Sequence, residues 1–199
     1  MSISTDAPPS PEALDQADMA KLQSGYPDAL NDLMARHATP IFHFLCRMVG
    51  NEDDANDLAQ ETFVRVFKSC NSFRAEQKFS SWLFTIAANL ARNQYRWRAR
   101  HPQLSLDAEN PVTEQSLGSM LPSAALAPNE TALASERATA VRVAVQALPE
   151  DLRAAIVLCE WEERSVAEAA TILEASPKAV ESRLYRARHV LRERLKSWL

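Results

Sequence analysis

The stretch "SVAEAATILEASPKAVESRLYRARHVLRERLKSWL", residues 165–199, decides the fold of the C-terminal part of the chain. A short helical segment leads into the three-residue turn "EAS" and then into a longer basic helix, where Ser176 is a good N-cap and Pro177 a good first residue. The apolar residues of the longer helix recur at spacings of four, three, four and four, at Val180, Leu184, Ala187, Leu191 and Leu195. This pattern predicts a helix-turn-helix.

The outer face of the longer helix is polar and basic, with Lys178, Ser182, Arg183, Tyr185, Arg186 and His189. Such side chains can bind base edges and phosphates, and a recognition helix contacts bases with its N-terminal residues. The alternative is a solvated basic face. Arg188 lies at the edge of the apolar stripe, so we expect a structural or phosphate-directed role for it.

A second candidate for nucleic-acid binding is "SSWLFTIAANLARNQYRWRAR", residues 80–100, which begins as an amphipathic helix and ends with four arginines in nine residues. One face carries Leu83, Ile86, Ala87, Leu90 and Trp97. A stripe a quarter-turn away carries Trp82, Asn89, Asn93, Arg96 and Arg100. The side chains of this stripe can stack on bases, form hydrogen bonds and contact phosphates, a combination that suits opened nucleic acid. The alternative interpretation is a polar helix flank that ends in a basic coil.

The remaining patterns also predict helices. Residues 27–48 show apolar spacings of three and four, and we expect Pro40 to break or kink that helix. Gly50 should end it, and the helix that follows has acids in its first turn. The buried face of that following helix is expected to contain Leu58, Phe63, Val66 and Phe67. The alternating valines 141, 143 and 145 would suit a strand, but the helical pattern around them is favoured.

Composition excludes several classes of protein. With 199 residues and 46% apolar side chains, the chain can form one medium or two small soluble domains. No membrane span or secretory signal is recognisable, so a cytoplasmic location is expected. The three cysteines form no CxxC pair and are expected to be buried, and the three glycines are too few for phosphate-binding loops. We therefore expect no cofactor.

Charge is distributed unevenly along a chain whose net charge is −4. Residues 92–101 contain four arginines and no acid, and residues 178–196 contain seven basic residues against two glutamates. Between them, residues 102–136 contain five acids and no Lys or Arg. Two basic patches are thus joined by an acidic tether, which as a coil spans about 30 Å and fully extended about 100 Å.

An enzyme is a weak alternative. His37, His43 and Cys46 could be imagined as metal ligands, but their spacings of six and three, and Pro40 between them, do not fit a metal site. No carboxylate pair completes a catalytic group. We expect no catalytic and no metal-binding residues.

The run "DDANDLAQETFVRVFKSCNSFRAEQKFSSWLFTIAANLARNQYRWR", together with the later "ALPEDLRAAIVL" and "SVAEAATILEASPKAVESRLYRARHVLRERL", resembles the two domains of extracytoplasmic-function (ECF) sigma factors of bacterial RNA polymerase. The resemblance implies an all-α fold of two small helical domains joined by a flexible acidic linker, the second with the helix-turn-helix. We expect a disordered tail at 1–17, a region 2-like domain at 18–101, the linker at 102–130 and a region 4-like domain at 131–199.

The resemblance also implies residue roles. Docking on the clamp helices of the polymerase beta-prime subunit would use Asp57, Gln60 and Glu61, which otherwise form an ordinary solvated acidic face. The minus-ten promoter element would be bound by Phe73, Lys78, Trp82, Asn89, Asn93, Arg96 and Arg100, although the family often has Asp in place of Asn93. A specificity loop at 71–81 would capture a flipped base. The minus-thirty-five element would be bound by Lys178, Ser182, Arg183 and Arg186.

Further partners implied by the resemblance are promoter DNA, the beta flap of polymerase and an anti-sigma factor, without membrane insertion. The family often has Gly where Glu174 stands, and since a left-handed residue other than Gly costs about 1 kcal/mol, we expect a differently shaped turn there. The alternative function is a free-standing helix-turn-helix regulator. Such a protein would leave "DLAQE" and the Asn/Arg/Trp helix unexplained and would dimerise on a symmetric operator.

Overall fold

The computed structural model describes residues 9–101 and 128–198, with side chains from residue 136 onward in the second range. Within these ranges all regular structure is helical, which confirms the predicted all-α fold. The helices are α1 (Pro11–Gln23), α2 (Ala29–Val49), α3 (Glu52–Ser69), α4 (Phe79–Arg100), α5 (Pro128–Gln146), α6 (Glu150–Glu160), α7 (Val166–Ile172) and α8 (Pro177–Arg194), with short 3₁₀ turns at Cys70–Ser72 and Lys196–Trp198.

The first domain consists of α1 to α4. Its core includes Phe44 of α2 and Phe84 of α4, whose ring centroids lie 5.2 Å apart in an edge-to-face arrangement. Gly50 ends α2 in the left-handed conformation, with φ 76°, and Asn51 caps α3 by accepting a 2.9 Å hydrogen bond from the backbone of Asp54. The turn between α2 and α3 was therefore predicted correctly.

We predicted that Pro40 would break or kink helix α2. The helix continues through Pro40, so a break is wrong, and a kink stays a prediction. Proline removes the hydrogen bond to the Arg36 carbonyl, and in a helix interior it costs about 3 kcal/mol. The residues just after it, Ile41 and Phe44, are fully buried. Each such burial contributes about 1.5–3 kcal/mol, so the apolar packing of this helix face offsets the loss.

Helix α1 begins at Pro11, so the boundary of the predicted tail at residue 17 lies too late in the chain. Ser10 caps this helix by accepting a 3.2 Å hydrogen bond from the backbone of Ala13. Asp15 is buried and binds Arg36 and His37 of α2 at 2.9 and 2.8 Å. Helix α1 thus belongs to the first domain, and residues 1–8 of the expected tail lie outside the described residues.

The second domain consists of α5 to α8, and its valine segment is helical, as favoured from the sequence. Val145 is buried there, whereas Val143 is 63% exposed. Helix α5 begins three residues before the predicted boundary at 131. Residues 102–127 lie outside the described residues, so the expectation of a flexible acidic linker stays a prediction.

The helix-turn-helix forms as predicted from the sequence. Ser165 and Glu168 make a reciprocal capping box at the start of α7, and Ser176 caps α8 by accepting from Ala179 at 3.2 Å. The buried stripe of α8 contains Val180, Leu184 and Ala187. Glu174, in the turn, adopts the left-handed conformation with φ 51°. The expectation of a differently shaped turn is therefore wrong, because Glu174 takes the conformation that a glycine would favour.

The two domains contact each other along the end of α2. Gln146 Nε2 donates to the backbone carbonyl of Arg47 at 2.7 Å, and a Cβ added to Gly50 would lie 2.8 Å from the Gln146 side chain. Arg153 Nη1 donates to the Met48 carbonyl at 2.5 Å. Glycine at position 50 therefore serves both the left-handed turn and this close approach.

Candidate nucleic-acid interface

The exposed face of α8 carries three of the four residues assigned to the minus-thirty-five element. Lys178, Ser182 and Arg186 are exposed, and Tyr185 beside them is 76% exposed. Arg183 is half-buried, and its Nε lies 3.6 Å from an Asp151 carboxylate oxygen on α6. The three exposed side chains thus lie together on one accessible, basic helix face.

Arg188 has a structural role, one of the two roles expected from its place at the edge of the apolar stripe. Its guanidinium binds Glu160 of α6 at 2.6 Å. This ion pair links the recognition helix to its own domain, so Arg188 is directed away from the face that carries Arg186. Arg186 and Arg188 of α8 therefore form a natural pair for comparison.

The arginines of α4 divide into two groups. Arg92 Nε lies 3.4 Å from Glu150, and Arg98 forms an ion pair with Asp54. Arg96 and Arg100, which the sequence assigned to DNA, are exposed and form no ion pair with any residue of the ranges 9–101 and 136–198. The two assigned arginines are thus those whose charge the described side chains leave uncompensated.

Asn89 and Asn93 lie on the same side of α4, but their surroundings differ. Asn93 is exposed. Asn89 is half-buried: its Oδ1 accepts from Arg92 at 3.0 Å, and its Nδ2 donates to Glu174 of the second domain at 3.3 Å. Trp97, placed by its spacing on the apolar face, is instead 42% exposed and stacks on His101 at a centroid distance of 4.8 Å.

The loop before α4 is supported by an aromatic cluster. Phe73 is only 6% exposed, and its ring centroid lies 5.3 Å from that of Trp82 and 6.0 Å from that of Phe79. Gln23 of α1 donates to the backbone carbonyls of Cys70 and Phe73 at 2.9 and 3.1 Å. Phe73 therefore packs beneath the loop, against Phe79 and Trp82. A direct contact between its ring and DNA stays a prediction.

Lys78, at the end of this loop, is exposed but already bound. Its Nζ donates to Glu168 of α7 at 3.0 Å. The hydrogen bonds from Ser165, and then that from Lys78, lower the pKa of the Glu168 carboxyl to about 2. The carboxylate is therefore ionised at any pH near neutrality.

The acidic face of α3 is accessible at Asp57 and Gln60. Glu61 is bound to Arg65 at 2.9 Å, and this hydrogen bond lowers the pKa of Glu61. Phe67, predicted to be buried, is 48% exposed, and Val64 is 41% exposed. Sequence reasoning missed this apolar pair beside the acids, although spacings of four and seven from Gln60 place both residues on the same helix face.

The three residues considered as metal ligands have different surroundings, and His43 is exposed. His37 binds Asp15, as described above. Cys46 is half-buried, and burial raises the pKa of its thiol to about 11. All three cysteines are free and partly buried, less deeply than the sequence predicted. Within the described residues, no three side chains of His, Cys, Asp or Glu are grouped to hold a metal ion, and no helix is long and apolar enough to cross a membrane.

Comparison with known families matches both domains. Residues 33–101 match the model for sigma-70 region 2, and residues 138–191 match the model for sigma-70 region 4. The ECF RNA polymerase sigma-E factor of Haemophilus influenzae is 35% identical over 185 residues, which cover 91% of this chain and 95% of that protein. The ECF RNA polymerase sigma factor SigW of Bacillus subtilis is 32% identical over 177 residues, 88% of this chain and 94% of SigW.

Two solved structures share the fold over most of the chain. CnrH, in complex with the cytosolic domain of CnrY, has a TM-score of 0.66 and 28% identity, and the match covers 92% of this chain and 98% of CnrH. The sigma factor RpoE, in complex with the anti-sigma factor NepR from Bartonella quintana, has a TM-score of 0.65 and 26% identity, with coverages of 85% and 98%.

A helical region 2 domain followed by a region 4 helix-turn-helix defines a sigma-70-type initiation factor of bacterial transcription. Both curated relatives named above are of the ECF type and match along nearly their full length. The chain belongs to the ECF sigma factors of RNA polymerase. Members of this family bind core RNA polymerase and promoter DNA.

Proposed function

We propose that this sigma factor binds the melted minus-ten strand with α4 and the preceding loop, and the duplex minus-thirty-five element with α8. The observation that carries the proposal is the division of the α4 arginines. Arg92 and Arg98 are compensated by carboxylates within the protein, whereas Arg96 and Arg100 project from the end of the helix without such a partner among the described residues. Uncompensated, exposed cations at regular spacing favour binding to a polyanion.

On α8, the exposed residues Lys178, Ser182 and Arg186 support direct contacts with base edges in the major groove. Arginine can bind guanine with two hydrogen bonds, and serine can donate or accept. Arg183 would first have to leave Asp151. Its role in the minus-thirty-five contact therefore depends on a rearrangement, and Arg186 is the better candidate for specificity.

Docking on core polymerase would use α3. The side chains of Asp57 and Gln60 supply polar contacts, and Phe67 beside them supplies exposed apolar area. A surface that mixes an aromatic anchor with polar neighbours is typical of protein interfaces. The resemblance assigns the clamp helices of the beta-prime subunit to this face and the beta flap to the apolar surface of the second domain.

The domain limits that support these roles are 11–101 for the promoter-melting domain and 128–198 for the duplex-binding domain, with the linker between them. In this role the chain performs no bond chemistry, because polymerase carries out synthesis. It would act in the cytoplasm, where polymerase and promoters are. Since CnrH was solved with the cytosolic domain of CnrY and RpoE with NepR, we also propose that an anti-sigma factor binds this chain.

The proposal is tested by selecting promoter sequences from a randomised duplex library with the purified chain, with core polymerase, and with both. With both present, the recovered sequences should contain two unrelated conserved blocks about two duplex turns apart, on the order of 70 Å. The chain alone should enrich little. A palindromic sequence recovered by the chain alone would instead show a free-standing dimeric regulator.

A further inference from the structure

Helix α1 contacts the loop before α4 through two glutamine side chains. Gln23 Nε2 donates to the backbone carbonyls of Cys70 and Phe73 at 2.9 and 3.1 Å. Gln16 Nε2 donates to the backbone carbonyl of Ala75 at 3.2 Å. The two glutamines are seven residues apart, so they lie on the same face of α1. One helix face thus binds three carbonyls spread along the loop assigned to base capture.

The position of α1 is fixed by the rest of the first domain. Asp15 and Asp18 are buried and bind the Arg36 guanidinium of α2 at 2.9 and 2.6 Å. Met19 and Leu22 of the same helix are buried in the core. Paired charges in a buried position have little freedom to rearrange, because leaving either one without its partner is costly. Helix α1 is therefore an anchored support from which the two glutamines reach the loop.

The aromatic cluster holds the loop on a second side. The Phe79 ring lies 5.2 Å from the His37 ring in an edge-to-face arrangement, and His37 binds Asp15 of α1 at 2.8 Å. Phe73 packs on Phe79 from within the loop. The side chains of residues 74–78, in contrast, are exposed. The protein thus holds the backbone of the loop, while these side chains stay accessible.

We propose that α1 is a positioning element for base recognition, in which Gln16 and Gln23 hold the loop in the conformation that captures the flipped minus-ten base. This inference rests on the proposed role of the loop in binding the minus-ten strand. Both glutamines act through the loop backbone and are assigned no contact with DNA. Ordering a loop upon binding costs conformational entropy, and a loop that is already held avoids that cost. Releasing the loop lowers the fraction of binding-competent molecules, and with it the apparent affinity for the captured base.

A released loop should also discriminate less between bases. Hydrogen bonds to a base edge weaken steeply when their distance or angle leaves the favourable range. The correct base depends on those bonds, whereas an incorrect base forms fewer of them, so loss of loop order weakens binding of the correct base most. Phosphate contacts elsewhere on the strand carry no sequence information and should be unaffected.

The test uses holoenzyme assembled with the full chain, and promoter forks whose unpaired minus-ten strand carries each of the four bases at each position in turn. Gln23→Glu keeps the shape of the side chain but replaces its donor by carboxylate oxygens, and Gln23→Lys supplies a donor again. The matched control is Asn31→Asp, which likewise turns an amide into a carboxylate, at an exposed position of α2. Gln23→Ala, which removes the donor without adding a charge, serves if Gln23→Glu does not fold.

Fluorescence anisotropy at one salt concentration gives the affinity for each fork. We expect Gln23→Glu to lower the preference for the favoured base about fivefold or more at one unpaired position, and to leave the preferences at the other positions within about twofold. Gln23→Lys and Asn31→Asp should stay within about twofold of the unmodified chain at every position. Because the preference is a ratio of two affinities, the change of net charge in these variants cancels.

Equal weakening on all forks, with base preferences unchanged, would overturn the proposal in favour of a general effect of charge or stability. Unchanged affinities in Gln23→Glu would overturn it as well. So would a loss of preference in Gln23→Lys as large as that in Gln23→Glu, because a donor at this position would then not matter. If holoenzyme with the unmodified chain shows no base preference at any unpaired position, the proposed function itself fails, which is a separate outcome.

Discussion

Arg153, on α6, donates hydrogen bonds to the backbone carbonyl of Met48, at the end of α2 in the other domain. Its Nη2 also donates to the carbonyls of Gln146 and Leu148, the latter at 3.0 Å. Arg153 is 5% exposed, and its guanidinium faces carbonyl oxygens in place of a carboxylate. Burial lowers its pKa. Carbonyls at the C-terminal end of a helix carry partial negative charge. Arg153 therefore stabilises the C-terminal ends of both α2 and α5.

Arg153→Met should therefore lower the free energy of unfolding by about 3 kcal/mol or more, because it leaves several buried carbonyls without a donor. Urea denaturation followed by circular dichroism measures this. Arg192→Ala, at an exposed position of α8, is the control and should change stability by less than about 0.5 kcal/mol. A loss below about 1 kcal/mol for Arg153→Met would contradict the role given to this residue.

Glu174 has a left-handed backbone, so glycine and alanine should differ there in a defined direction. Both substitutions remove the contact with Asn89, but only glycine relieves the strain, so Glu174→Gly should be about 1 kcal/mol more stable than Glu174→Ala. At Glu181, inside α8, the order should be reversed by a similar amount, because glycine is unfavourable within a helix. Thermal denaturation of the four variants checks both differences, and the same order at both sites would be inconsistent with the left-handed turn.

The exposed ring of Phe67 should matter for polymerase and little for folding. Phe67→Ala is expected to weaken binding to core polymerase by about 1–2 kcal/mol or more, because buried aromatic anchors dominate interface energies. Since the ring is 48% exposed, the stability of the free chain should change by less than about 1 kcal/mol. Tyr26→Ala, which alters another exposed ring, is the control, and competition against a labelled sigma factor for core polymerase gives the affinities. Equal affinity of Phe67→Ala and the unmodified chain would place the docking face elsewhere.

Arg186 and Arg188 lie on one helix but have different partners, so they test the minus-thirty-five face. Arg186→Ala should cost about 1–3 kcal/mol of discrimination between the selected element and a scrambled one. Arg188→Ala should leave discrimination unchanged and instead weaken the second domain slightly, through loss of the Glu160 pair. Holoenzyme binding to the two DNA sequences at one salt concentration measures this, and equal losses on both sequences for Arg186→Ala would identify a phosphate contact.

Sequence reasoning succeeded where the signals are local. The turn from α7 to α8 follows from Ser176 and Pro177, and the end of α2 follows from Gly50, because caps act within a few residues. It failed where tertiary contacts decide. Helix α1 contains the buried acids Asp15 and Asp18, and their partners on α2 cannot be recognised from an apolar pattern.

In the candidate site, too, the sequence predicted the local relations and missed those that depend on tertiary contacts. Spacing placed Arg96 and Arg100 on one face of α4 and separated Arg186 from Arg188, because helical periodicity fixes such relations. It could not show that the Phe67 side chain is exposed or that the Phe73 side chain is buried beneath the loop. Nor could it place Glu168 and Glu174 against α4, since these contacts join segments about 85–90 residues apart in the chain.

The most direct test of the central claim is fluorescence anisotropy with a promoter fork that carries both selected elements and an unpaired minus-ten strand. The fork is titrated with this chain, with core polymerase, and with both. The account predicts tight, sequence-selective binding only when both are present. Arg96→Ala/Arg100→Ala should weaken binding of the fork by a similar factor for selected and scrambled unpaired strands, because phosphate contacts carry no sequence information. Selective binding of intact duplex by the chain alone, unchanged by polymerase, would contradict the account.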